Sequence, residues 1–307
     1  MKKAVYGKIE RCLKEVKVFA ELDGNVASGI IFDNEGHMIV GKDKEILRIS
    51  PKGEATVLCS FREIEAKKHY YFESPLVWDM VLADEGVIYA AAQDRILKIS
   101  KDGKFETLIE GSFDGFLGIS GLECDKEGNL YFTHGGHIMK LTLDGKTIDW
   151  FDGKNIGLES LFSLRFDLEY RNLYATDFYT SSLYRIPLTE RGGAESPVLI
   201  IQEPIKDAKP YGAPLNMVYD RNGNLYSSLD CKAQILKMDA EGNLSFIHLN
   251  APVQNHYIAF GGKGFDDKSI YFTTYDGKTI YQTDMCQLGQ LCMEDSVKRY
   301  GLWRLSP

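Results

Sequence analysis

Met217-Val218-Tyr219-Asp220-Arg221-Asn222-Gly223-Asn224-Leu225-Tyr226 reads as the end of one strand, a tight turn and the start of a second strand. Asp bonds backbone groups a few residues on, and Gly accepts the positive φ that such turns demand. The phrase recurs. It stands as Ile30-Ile31-Phe32-Asp33-Asn34-Glu35-Gly36-His37-Met38-Ile39, shortened as Leu82-Ala83-Asp84-Glu85-Gly86-Val87-Ile88-Tyr89, and again as Leu122-Glu123-Cys124-Asp125-Lys126-Glu127-Gly128-Asn129-Leu130-Tyr131. It returns as Leu164-Arg165-Phe166-Asp167 followed by Asn172-Leu173-Tyr174. A looser copy is Ile258-Ala259-Phe260-Gly261-Gly262 followed by Ser269-Ile270-Tyr271-Phe272. The copies lie roughly 40 to 50 residues apart, the length of one propeller blade.

Each copy extends to four strands. After the Tyr-bearing strand comes a third with period-two alternation: Ile46-Leu47-Arg48-Ile49, Ile96-Leu97-Lys98-Ile99, Ile138-Met139-Lys140-Leu141, Leu183-Tyr184-Arg185-Ile186 and Ile235-Leu236-Lys237-Met238. A second turn, such as Lys101-Asp102-Gly103 or Ala240-Glu241-Gly242, leads into a fourth strand. Sustained helical periodicity is absent, and the one helical expectation is a short turn over Lys2 to Lys14. The expectation is an all-β, six-bladed β-propeller of four-stranded antiparallel blades. Glu15-Val16-Lys17-Val18-Phe19-Ala20 precedes the first copy and supplies the strand missing beside Thr279-Ile280-Tyr281-Gln282. That strand would clasp the ring and protect its edges. The alternative, two stacked β-sandwiches, finds no linker or composition shift in its support. The chain is thus read as one domain over residues 1–307: an N-terminal segment and closing strand over 1–20, six blades over 24–290 and a tail over 291–307.

Composition bounds function. The chain has 307 residues, 44% of them hydrophobic and 26% charged, with a net charge of −8. An acidic balance argues against nucleic acid as the main partner, since phosphate binding needs a basic face. Glu10, Arg11, Lys14 and Glu15 interrupt any apolar run near the N-terminus, so neither a signal peptide nor a membrane span is expected. The six cysteines, Cys12, Cys59, Cys124, Cys231, Cys286 and Cys292, show no CxxC spacing and read as reduced thiols of a cytoplasmic protein.

In a propeller the inner strands begin on one face of the ring, and the Asp-x-x-Gly turns gather on the other. The turn carboxylates are therefore structural. The functional face should carry Ser28, Asp79, Ser120, Phe162, Leu215 and His256 at the inner-strand starts, with Asp43, Asp94, His134, Asp177, Asp230 and Tyr275 around them. The longest loops on that face run from Phe61 to Val77 and from Gln202 to Pro214. Ala66-Lys67-Lys68-His69-Tyr70-Tyr71-Phe72, aromatic and amphipathic, reads equally as a pocket lid or as a packed flap.

Asn255-His256-Tyr257-Ile258-Ala259-Phe260-Gly261-Gly262-Lys263, continued by Ser269-Ile270-Tyr271-Phe272-Thr273-Thr274, resembles the last-blade signature of the senescence-marker-protein, gluconolactonase and luciferin-regenerating-enzyme family. Pro214-Leu215-Asn216-Met217 through Leu244 resembles its penultimate blade, and the copy holding Asn172 to Ile186 fits as well. The resemblance spans nearly the whole chain. It implies lactone or ester hydrolysis assisted by one divalent cation, held by a Glu, an Asn and an Asp at inner-strand starts. Five residues before each turn, this chain has Ser28, Ser120, Phe162 and Leu215 instead. A slip of one residue offers Ser163 and Asn216, still without a carboxylate. The expectation is a site with no metal and no other cofactor. Its candidates for catalysis are Asp79, His256 and Tyr257. The candidates for substrate contact are Ser28, Trp78, Ser120, His134, Phe162, Asp177, Leu215, Asn216 and Asp230. His134 and His137 flank Gly135-Gly136 and face differently, which argues against a metal pair. Phe162 and Leu215 make the mouth apolar, pointing to a small-molecule ligand of low polarity, with neither nucleic acid nor membrane as partner. An altered hydrolase, a metal-independent lyase or condensing enzyme resembling strictosidine synthase, and a non-catalytic metabolite- or protein-binding propeller all remain open, because function lives in the site and not in the fold.

Overall fold

The repeated phrase is a hydrogen-bonded module. Asp220 Oδ1 accepts the backbone N–H of Asn222 at 2.9 Å and of Asn224 at 3.0 Å, while Tyr226 Oη donates to Asp220 Oδ2 at 3.1 Å. Asp125 repeats this with Glu127, Asn129 and Tyr131 at 3.1, 2.8 and 3.2 Å. Asp33 does so with the N–H groups of Glu35 and His37 at 2.9 and 2.8 Å. The glycines of these turns, Gly36, Gly128 and Gly223, have φ of 96°, 91° and 81°, a region that side chains disfavour. The Asp, Gly and Tyr of the phrase thus serve one local purpose: they fix the hairpin between first and second strands.

The computed structural model describes residues 12–23, 29–64, 77–111, 113, 118–202, 212–230, 232–250, 255–274 and 277–285. They form a six-bladed β-propeller with almost no helix. Blade one shows the plan: Ile30–Phe32, Met38–Lys42, Glu45–Ile49 and Ala55–Ser60 pair antiparallel from the centre outward. The other inner strands are Asp79–Leu82, Leu122–Cys124, Leu161–Phe166, Pro214–Tyr219 and Asn255–Phe260. Neighbouring blades share apolar cores, such as Ile39, Ile46, Met80 and Leu97 between blades one and two. Phe32, Met38, Ala259 and Tyr271 do the same between blades six and one.

The N-terminal segment clasps two blades. Lys17–Glu21 is the outer strand of blade six, antiparallel to Thr279–Asp284 with Lys17 opposite Gln282. This is the closure expected from the sequence. Just before it, Cys12–Glu15 runs parallel to Leu244–Asn250 and gives blade five a fifth strand. The helical turn anticipated up to Lys14 is therefore corrected at its end, where pairing with a free sheet edge overrides a weak local tendency; residues 1–11 lie outside the described residues. Glu15 joins the two blades, since its carbonyl accepts Thr283 Oγ1–H at 2.8 Å and its Oε1 accepts from Asn250 Nδ2 at 2.8 Å.

Blade two departs from the repeat. Ala83 occupies the place of the turn Asp, and Asp84–Gly86 forms a 3₁₀ turn with Glu85 at φ 60°. Leu82 pairs with Ile88 as Phe32 pairs with Met38 and Cys124 with Leu130. Counting back from Asp84 therefore lands one residue too far along. Trp78, not Asp79, is the counterpart of Ser120, Phe162, Leu215 and His256. Asp79 shares the next level with Gly29, Gly121, Ser163, Asn216 and Tyr257.

Candidate functional site

The inner-strand starts are held from the preceding blade by hydroxyl groups. Thr176 Oγ1 donates to the Leu215 carbonyl at 3.3 Å, and Ser228 Oγ to the His256 carbonyl at 2.6 Å. Ser120 Oγ donates to the Leu161 carbonyl at 3.2 Å, and Ser120 N–H reaches Thr133 Oγ1 at 3.0 Å. Gly121 is required here, because a Cβ would lie 2.6 Å from the Phe162 carbonyl oxygen. Six buried candidates come together near these starts: Trp78, Asp79, Phe162, Leu215, His256 and Tyr257.

The assembly is apolar and tightly packed. Trp78, Phe162, Ala213, Leu215 and Tyr257 form one buried cluster with Phe178 against it. Ring centroids lie 6.4 Å apart for Trp78 and Phe162, 6.1 Å for Phe162 and Tyr257, and 4.6 Å for His256 and Tyr257. Within it sits Asp79, only 2% exposed. Its Oδ1 accepts Met80 N–H at 2.9 Å and its Oδ2 accepts Leu122 N–H at 3.2 Å. Burial raises the Asp79 carboxyl to about 7; the Arg165 charge and the two N–H donors oppose the rise, and Glu123 adds to it. Burial pushes His256 down to about 4, so its imidazole is neutral at pH 7. Burial, with the Asp79 charge nearby, holds the Tyr257 phenol well above its usual range. Tyr257 Oη makes no hydrogen bond among the described residues.

The other candidates are engaged in contacts of their own. Asn216 Oδ1 accepts Ile258 N–H at 3.1 Å and ties blade five to blade six. Asp177 clamps a loop: its Oδ2 accepts the N–H groups of Glu159 and Ser160 at 3.1 and 2.8 Å, and its Oδ1 accepts from Thr180 N and Oγ1 at 2.8 and 2.9 Å. Asp230 follows its second strand, where its N–H donates to the Ala213 carbonyl at 2.8 Å. His134 stacks edge-on against Phe113, and its ring centroid is 6.3 Å from that of His137, which pairs with Asp149 at 3.1 Å. Ser28, Tyr275 and the loop stretches 65–76 and 203–211 lie outside the described residues, as do Cys231, Cys286 and Cys292. Among the described residues, the one group of three or more His, Cys, Asp or Glu side chains whose ligand atoms all come within 4.8 Å of one another is Asp33, Glu35 and His37, at the Asp33 turn.

Two site residues escaped the sequence reading. Glu123 and Arg165 stand one residue before the last of their inner strands, where the other blades have Ile31, Val81, Val218 and Ala259. A charged side chain at an otherwise apolar repeat position was the available signal. Arg165 Nη1 pairs with Glu123 Oε2 at 3.1 Å, and its Nε donates to the Met217 carbonyl at 3.1 Å.

No family model matches the sequence. No curated protein matches it either. Solved structures do. A gluconolactonase from Xanthomonas campestris superposes with a TM-score of 0.68 at 15% identity, over 88% of this chain and 89% of that one. A luciferin-regenerating enzyme gives 0.67 at 14%, over 91% and 98%. The fold is that of the gluconolactonase-type propellers. A streptogramin B lyase also shares it, with a TM-score of 0.61 at 17% identity over 88% and 97% of the two chains. The gluconolactonase-type fold thus accommodates both names, and at these identities the likeness is one of fold. No helix among the described residues is long and apolar enough to cross a membrane.

Proposed function

We propose that this chain is a cytoplasmic enzyme that hydrolyses a lactone or ester of low polarity at the channel mouth, without a divalent cation. The observation that carries the reading is Asp79: a carboxyl that changes charge near neutrality inside a wall of Trp78, Phe162, Leu215 and Tyr257. A general acid–base group works best with a pKa near the operating pH. The donor set does not suit a cation such as Ca²⁺, which takes six or more oxygens. Phe162 and Leu215 offer none, the oxygens of Asp79 already accept two N–H groups, and Asn216 Oδ1 accepts a third. Ionised Asp79 removes a proton from water as the oxygen attacks the ester carbonyl. The free hydroxyl of Tyr257 donates to the developing oxyanion. Collapse breaks the C–O bond, and the alkoxide takes the proton back from Asp79.

A binding propeller is the second reading. It is favoured by the same two backbone N–H bonds that hold Asp79 in place. Elemental mass spectrometry, with a lactone and aryl-ester screen in the presence and absence of chelator, separates the readings. Chelator-insensitive hydrolysis by metal-free protein supports the enzyme. A stoichiometric divalent cation with chelator-sensitive turnover overturns the metal-free mechanism. A small molecule that binds and is never consumed favours the binding propeller, and elimination without uptake of water favours lyase chemistry of the kind named for the streptogramin B neighbour.

A further inference from the structure

Arg165 is a costly residue at its position. It places a full charge on an inner strand where blades one, two, five and six present Ile31, Val81, Val218 and Ala259. Its guanidinium is anchored at two points, to Glu123 of blade three at 3.1 Å and to the Met217 carbonyl of blade five at 3.1 Å. Asp79 of blade two is tied to blade three through the N–H of Leu122, the residue next to Glu123. Asp79 and the Glu123–Arg165 pair thus stand on three adjacent blades, linked through the backbone of Leu122 and Glu123. We infer that Arg165 is a positioning residue for this site: a charge fixed by Glu123 and Met217 that governs how readily Asp79 holds its proton, with Glu123 acting in the opposite sense.

The surroundings of Asp79 agree. Glu123 faces it from blade three, Arg165 from blade four and Tyr257 from blade six, besides the N–H groups of Met80 and Leu122. Gly29 of blade one brings backbone only, with its Cβ position 3.2 Å from Asp79 Oδ1. Tyr170 and Tyr219 face Arg165. Burial works against the charge of Arg165, and the acidic neighbours Glu123 and Asp79 outweigh it, so the guanidinium stays charged. Burial drives Glu123 upward, and Arg165 counters this first.

The inference rests on Asp79 being the acid–base group of the proposed function, but its test needs no substrate. The protein is labelled at the aspartate carboxyl carbons, the Asp79 resonance is assigned by its loss in Asp79→Asn, and its midpoint is followed by NMR. Arg165→Met should raise the midpoint, with about a tenfold or larger fall in the proton dissociation constant. Glu123→Gln should lower the midpoint, and Arg165→Lys should stay close to the parent protein. Should Arg165→Met fail to fold by circular dichroism, Glu123→Gln and Arg165→Lys decide the matter. An unchanged midpoint in folded Arg165→Met, a rise in Glu123→Gln, or a shift in Arg165→Lys as large as that expected for the Met variant overturns the inference. A silent ester screen with these shifts present would sink the hydrolase and leave the positioning role standing.

Discussion

Asp79 and His256 are both buried, yet burial gives their titrations opposite consequences. Asp79 moves from an ordinary value of 3.8 to about 7, so between those values the folded chain holds a proton that the unfolded chain has lost. Stability then falls as pH rises through that window. His256 moves from 6.5 to about 4, so in that range the unfolded chain binds the extra proton and stability rises with pH. Urea titrations at a series of pH values should show Asp79→Asn gaining on the parent protein between pH 4 and 7. His256→Gln should gain on it in the other direction, as pH falls from 6.5 to 4. For the reaction itself, ionised Asp79 is the base. Turnover should climb with pH through about 7, and Asp79→Asn should lose about 100-fold or more. A flat rate profile from pH 5 to 9 would remove Asp79 from the chemistry.

At the scale of the hairpin, the turn carboxylates hold the fold together. Asp125 takes the N–H groups of Glu127 and Asn129, the Asn129 side chain, Tyr131 Oη and Lys140 Nζ. Asp125→Ala should therefore cost about 2 kcal/mol or more in denaturant unfolding, while ligand binding at the opposite face is untouched. Locality also explains what the sequence disclosed. Asp220, Gly223 and Tyr226 interact within a single turn, so their spacing is written along the chain and the blades can be counted from it. The mouth is built differently. Trp78, Phe162 and His256 meet across blades, and an aspartate displaced by one position, from Ala83 to Asp84, in a turn of unchanged length moved Asp79 off its counted place. The Glu123–Arg165 pair was visible as two odd charges, but nothing short of the ring geometry joins it to Asp79.

Over the whole molecule, stability depends on the ring being shut. Ala20, on the closing strand, is 6% exposed and packs with Phe32, Leu47 and Ile280, whereas Val18 on the same strand is 56% exposed. Ala20→Asp buries an unpaired carboxylate and should lower the melting temperature sharply, while Val18→Asp should change stability by no more than about 0.5 kcal/mol. Equal effects of the two would mean that the strand is not seated as described. The double clasp has a further consequence, in time. Glu15 and Thr283, which it joins, are 268 residues apart in sequence. During synthesis the segment around Glu15 leaves the ribosome well before its partners in blades five and six. Blades one to four can gather as they appear, but the seam cannot be sewn until blades five and six have followed. For that whole interval the nascent chain carries an unpaired strand, exposed to chaperones and to the matching edge of any neighbouring copy.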